Sequence, residues 1–248
     1  MLVSAATRAI ARREWGAYFN SPVAYVFIII FLLLSGFFTF AVAGFYESNQ
    51  AEFSRSFFLW HPWLYLVLIP AVGMRLWAEE RRSHTIELLF TLPVTPAQAI
   101  AGKFLAAWAF LIVALVLTFP VVLTAVYLGE PDLGVAFTGY LGSIFLAGSY
   151  LGVAMFTSAL TKNQVISFIV AVVLGLLLIL SGFPPVTDLL SGFCPMWLVD
   201  TIAAFSFMSH YETLQRGILD IRDLIYFASM IGFMLFCTLV VLHHKAAD

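Results

Sequence analysis

Few side chains in this chain could do chemistry, and the charged ones crowd into one stretch. Residues 74–93, MRLWAEERRSHTIELLFTLP, carry Arg75, Glu79, Glu80, Arg81, Arg82 and Glu87 between two long apolar segments. Carboxylates beside guanidiniums can serve acid–base catalysis, or they can grip a partner of matching charge. The rest of the chain favours the second use. No G-x-x-x-x-G-K-[ST] loop occurs, so ATP is not cradled by that route, and no H-E-x-x-H occurs. His243 and His244 lack carboxylate company, and Cys194 and Cys237 show neither metal nor redox spacing. Cys237 sits in an apolar run and reads as a small packing residue. A serine–histidine pairing between distant segments stays open at this stage. An enzyme, or a bound metal or cofactor, is not the expectation; recognition is.

The elements that must position this stretch follow from composition. The 248 residues are 62% hydrophobic and 10% charged, against about 45–50% and about 25% in soluble domains. The chain therefore reads as an all-α polytopic membrane protein forming a single domain over 1–248. A helix needs roughly twenty apolar residues to cross about 30 Å of hydrocarbon. Six segments approach that length: 22–44, 59–77, 99–128, 134–160, 165–183 and 224–242. Pro22 suits a first helical turn, while Pro70 and Pro120 predict kinks. No small-residue cleavage site follows the first apolar run, so that segment is expected to remain in the membrane.

Six spans place both termini on one side. Arg8, Arg12, Arg13, Arg75, Arg81, Arg82, Lys103, Lys162 and Lys245 fall on that side, against Arg55, Arg216 and Arg222 opposite. The bias predicts cytoplasmic termini. Span interiors lack Asp and Glu, which argues against ion coupling. Arg75 and Lys103 lie near cytoplasmic ends, where they can snorkel, and His61 lies near an outer boundary.

Two cytoplasmic elements result. Residues 4–19 read as an amphipathic helix within a 1–20 interface segment, with Ile10, Trp15, Tyr18 and Phe19 toward lipid and Arg8 and Arg12 toward water. The 78–98 loop reads as a short helix over Ile86, Glu87, Leu88, Leu89 and Phe90, capped by Ser83 or Thr85 and stopped by Pro93 and Pro96. Two turns are unstable alone, so this helix needs a surface or a groove to pack on. Outside, residues 184–223 read as an amphipathic helical segment with a Glu212–Arg216 pair at i,i+4. GSYLG at 148–152 is a GxxxG suited to close helix approach, within the chain more than between copies.

Residues 79–107, EERRSHTIELLFTLPVTPAQAIAGKFLAA, resemble the signature of ABC-2-type transporter permeases. The nearest likeness is the GldF-like branch, with NosY-like permeases more distant. REWGAYFNSPVAYVF (13–27), LIPAVGMRLWAEE (68–80), ALTKNQVISF (159–168) and SHYETLQRGILDIRDLIYF (209–227) resemble the same branch. His84 departs from the family's usual glycine. The resemblance implies a coupling helix at Thr85, Ile86, Glu87, Leu88, Leu89 and Phe90, flanked by Glu79, Glu80, Arg81 and Arg82, that docks in a separate ATP-binding subunit. It implies an interface helix bearing Arg8, Arg12, Arg13, Glu14 and Trp15 beside that subunit. Two ATP-binding subunits, holding the ATP and Mg, would join two permeases, either two copies of this chain or one copy with a related permease. An extracytoplasmic auxiliary subunit fits the outer segment, membrane lipid surrounds the whole, and nucleic acid is not expected. The setting implied is a bacterial inner membrane. Two functions fit: export, and conformational work for assembly or motility machinery without a cargo. A stand-alone channel or carrier fits less well.

Overall fold

The computed structural model describes residues 4–43, 53–83, 85, 94–129 and 131–245. Among them the secondary structure is helical, with no strand. Helix α1 (Ala5–Phe19) starts at Ser4, whose hydroxyl accepts from the Thr7 N–H at 3.2 Å. Ser21 then caps α2 (Pro22–Phe37), with Pro22 in its first turn, and α2 runs into a π-helical turn at Phe38–Val42. A short turn α3 (Phe53–Ser56) and a 3₁₀ turn (Phe58–Trp60) precede α4 (His61–Gly73) and α5 (Arg75–Arg82).

Thr95 and Gln98 form a reciprocal capping box at the start of α6 (Pro96–Val116). Pro96 thus opens this helix. Pro120 has no N–H, and its ring crowds the carbonyl four residues earlier, that of Val116. Val116 is where α6 ends; after a turn at Leu117–Thr118 the chain resumes as α7 (Phe119–Leu128). The expected kink at Pro120 is therefore a break. Pro70 lies inside α4, and the interruption comes four residues later at Met74.

Helix α8 (Leu133–Leu160) is the central post. Of its most apolar window 78% is buried, against 17% for α13 (Ile221–Lys245). The rest of the fold wraps this post: α13, α4, α9 (Gln164–Leu180) and α12 (Phe207–Gln215) all pack on it. The GxxxG pair explains how closely α13 comes. A Cβ on Gly148 would lie 2.8 Å from Ile231 Cδ1, and one on Gly152 would lie 3.2 Å from Met234 Cβ. The motif serves packing within the chain.

Among the described residues four helical stretches are long and apolar enough to cross a membrane: Pro22–Val42, Pro96–Leu128, Leu133–Leu160 and Ile221–His244. A fifth exists if α9 and α10 (Pro184–Ser191), bent by 68° at the intervening turn, count as one span. The expected segment 59–77 differs. Its thirteen-residue α4 rises about 20 Å, short of the hydrocarbon thickness, before the break at Met74. The 184–223 segment holds three short helices, α10, α11 (Met196–Ala203) and α12, with Glu212 of the last paired with Arg216 just beyond its end.

Candidate coupling site

Helix α1 does not lie free on a lipid surface. It packs along α6, where glycine permits contact: a Cβ on Gly102 would stand 2.8 Å from Ile10 Cγ2 and 3.0 Å from the Thr7 carbonyl oxygen. Tyr18 stacks on Phe110 of α6 at 4.9 Å. Ile10 and Tyr18, expected toward lipid, therefore face a neighbouring helix. Trp15 tilts against Phe19 at 5.0 Å, and Arg8 and Arg12 project as exposed side chains.

The break at Met74 sets the start of α5. Beginning a new helix leaves its first N–H groups without intrahelical acceptors. Ser158, from the far end of α8, supplies one. Its hydroxyl oxygen accepts from the Trp77 and Ala78 N–H groups, each at 3.0 Å, and donates to the Met74 carbonyl at 2.8 Å. One serine thus caps α5 and ties both sides of the break to the central post. Nearby, the Arg81 guanidinium donates to the Ala159 carbonyl at 2.6 Å, and burial lowers its pKa from the ordinary value.

Lys103 joins α1 and α5. Its ammonium reaches Glu80 of α5 at 2.8 Å and Glu14 of α1 at 3.2 Å, and sits 5.4 Å above the Trp77 ring. The side chain is 4% exposed. Lys103 does not snorkel to water: it is enclosed, with its charge met by two carboxylates and an aromatic face. Glu14 also accepts from Arg13 at 2.7 Å. Burial works against the Glu14 carboxylate, but Lys103 and Arg13 outweigh it and hold its pKa below the ordinary 4.5. Arg13 is raised in turn, chiefly by its hydrogen bond to Glu14.

The other predicted residues separate. Glu79 pairs with Arg75 at 3.4 Å on the exposed side of α5, and Arg82 is exposed. Ser83 and Thr85, expected to cap the following helix, turn back on α5. The Ser83 hydroxyl donates to the Glu79 carbonyl at 2.9 Å, and the Thr85 N–H donates to that of Glu80 at 3.0 Å. Ile86, Glu87, Leu88, Leu89 and Phe90 lie outside the described residues, as does His84. Sequence reasoning missed Ser158 and misplaced Lys103. The available signal was Lys103 within an apolar helix, a position where a charge demands partners.

A serine–histidine pair does form, near the opposite end. His61 Nδ1 lies 2.6 Å from Ser143 Oγ, and Tyr211 Oη lies 2.9 Å from the same oxygen. Ser143 is bound to the Gly139 carbonyl at 2.8 Å, and the fully buried imidazole is walled by Phe57 and Phe58. With its reacting atoms sealed from solvent and a tyrosine in third place, the cluster joins α4, α8 and α12 as a structural tie. Among the described residues no group of three or more His, Cys, Asp or Glu could hold a metal ion.

Comparison with curated proteins finds no match. The family model described as ABC-2 family transporter protein matches residues 62–245. The match begins in the first turn of α4 and takes in α5, Lys103 and Ser158, leaving α1 and α2 outside it. An apolar helical chain with several helices long enough to cross a membrane agrees with the membrane component of a transporter, and the chain belongs to the ABC-2 family of transporter proteins.

Proposed function

We propose that this chain is the permease subunit of an ATP-driven exporter complex and that α5 is its input lever. ABC-2 permeases work with an ATP-binding subunit. In this reading that subunit docks on residues 85–90, directly beyond α5, and its movement on ATP binding is carried up α5 into the bundle. The observation behind the proposal is Lys103, which holds Glu80 of α5 and Glu14 of α1 on one ammonium. Two cytoplasmic helices that would meet the same partner are thereby made to move as one. The break at Met74, capped by Ser158, gives α5 a pivot against α8.

The reading carries further commitments. Residues 59–77, which end in the first turn of α5, form a sixth span, both termini are cytoplasmic, and the membrane is a bacterial inner membrane, with nine basic residues on the terminal side and three opposite supporting that orientation. Two permeases, identical or related, pair with two ATP-binding subunits. A pathway without charged side chains suits an amphipathic cargo.

The test is affinity purification at native expression in mild detergent, with the bound proteins identified by mass spectrometry. Wild type should retain an ATP-binding subunit, and the double substitution Glu87→Ala, Leu88→Ala should lose most of it. If wild type brings down no ATP-binding protein in several detergents, the proposal fails.

A further inference from the structure

On the α1 side of the bundle a groove of about 310 Å³ opens between α1, α2 and the α4–α5 break. Along the bundle its walls are apolar: Val23, Val26, Phe27 and Ile30 of α2 face Leu68 and Val72 of α4. Val23 and Val26 are each 53% exposed, so α2 leaves this wall uncovered. The end next to α1 is different. There Glu14, Tyr18, Ser21 and Arg75 line the same space, bringing one anion, one cation and two hydroxyls to the head of an apolar channel.

Both bonds to Glu14, from Arg13 and Lys103, fall on its Oε1, and Arg75 and Tyr18 have capacity to spare. Among the described residues Arg75 makes one long ion pair, 3.4 Å to Glu79, and its side chain is 41% exposed. The Tyr18 hydroxyl makes no hydrogen bond among the described residues, because the ring is held by stacking on Phe110. Burial raises the Tyr18 pKa, Glu14 raises it further and Arg75 lowers it. The head of the groove thus offers donors and a carboxylate. The volume stands at the low end of the roughly 300–1,000 Å³ of ligand pockets. It holds one acyl chain segment and a small headgroup.

We infer that the groove binds one phospholipid with a primary ammonium headgroup, from the leaflet on the α1 side. The phosphodiester takes the donors of Arg75 and Tyr18, the ammonium donates to Glu14, and one acyl chain lies between α2 and α4. A phosphocholine has no N–H to give Glu14. A phosphoglycerol offers only neutral hydroxyls where an ammonium would give Glu14 a charge-assisted bond. The site goes beyond the coupling reading and stands without it.

The experiment is native mass spectrometry of the full chain, purified in detergent and reconstituted with equimolar dioleoyl phosphatidylethanolamine, phosphatidylcholine and phosphatidylglycerol. Wild type should retain one phosphatidylethanolamine in preference to the other two. Arg75→Gln and Tyr18→Phe should each lower retention, Arg75→Gln by about tenfold for a charge-assisted bond. Val26→Trp should empty the groove while leaving α1 docked. Glu14→Gln should bring the ratio of phosphatidylethanolamine to phosphatidylcholine near one, a ratio read within one sample and so independent of folding yield. Equal retention of the three lipids, or preference for phosphatidylglycerol, overturns the inference. So does a cross-link between two copies through Val26→Cys with no lipid bound, which would place a second chain in the groove. Competition by glycerophosphoethanolamine as strong as by the whole lipid would make the ligand a free headgroup and refute the acyl channel.

Discussion

Replacing Lys103 with methionine tests the junction at its centre. The change keeps the length and apolar stem of the side chain and deletes its charge. Glu14 keeps Arg13, but Glu80 loses the ammonium beside it, and the two carboxylates face each other with their nearer oxygens within about 6 Å. At an effective dielectric of about 20 that repulsion is about 3 kcal/mol. It agrees with the roughly 3–5 kcal/mol cost of removing one partner from a buried ion pair. The glutamates are 18% and 22% exposed, so the lower end applies, about 3 kcal/mol. For a chain of this length that is a Tm lower by roughly 6–12 °C at pH 7. The sign of the pH dependence separates this cause from loss of packing. In wild type Glu14 is held below its ordinary 4.5, so its contribution is present at neutral pH and lost as pH falls below that value. In Lys103→Met the two carboxylates shed their repulsion by taking up a proton, so acidification from pH 7 should narrow the gap to wild type. Adding Glu80→Gln should recover most of the loss at pH 7. The assay is thermal unfolding in one detergent across pH 4.5–8. A variant that melts with wild type, or whose deficit is the same at every pH and unmoved by Glu80→Gln, would refute the argument.

Ser158→Ala should leave the Trp77 and Ala78 N–H groups without their acceptor, at a cost of about 1–3 kcal/mol; a Tm equal to wild type would show that α5 needs no cap. Gly102→Val should force α1 off α6 against the Thr7 carbonyl and Ile10, costing about 1–3 kcal/mol. Limited trypsinolysis should then cut sooner at Arg8, Arg12 and Arg13, and unchanged cleavage would place α1 elsewhere.

The sequence exposed the class of the fold through its apolar runs, and it showed where charge gathers. Pro120 marked a discontinuity in the third segment, because a missing N–H and a steric clash act locally. Intrachain use of the GxxxG was also legible, since small residues on a long apolar helix allow close approach whichever helix arrives. Relations between distant residues were not. The sequence places Lys103 near a membrane boundary, a position that fits snorkelling as well as pairing, and only the tertiary arrangement brings Glu14 and Glu80 to it. Ser158 is hidden for a related reason: a serine within an apolar helix ordinarily bonds its own preceding turn. Nothing local shows that another helix restarts beside it. The amphipathic reading of α1 assigned Ile10 and Tyr18 to lipid because, from one strand of sequence, lipid and a neighbouring apolar helix look alike.

The distance along the chain between Glu14 and Lys103, 89 residues, has a consequence for how the molecule is made. At synthesis rates of about 5–20 residues per second, α1 leaves the ribosome some 4–18 seconds before its cation. Glu80 emerges later but also ahead of it. The helix at the head of the chain must therefore wait, undocked, while α2, α4 and α5 are inserted. Only when α6 enters the membrane do Gly102 and Lys103 offer a seat and a charge. The junction closes as a late step of biogenesis, and a chain stalled before α6 would hold Glu80 without the ammonium that meets it at 2.8 Å in the finished fold.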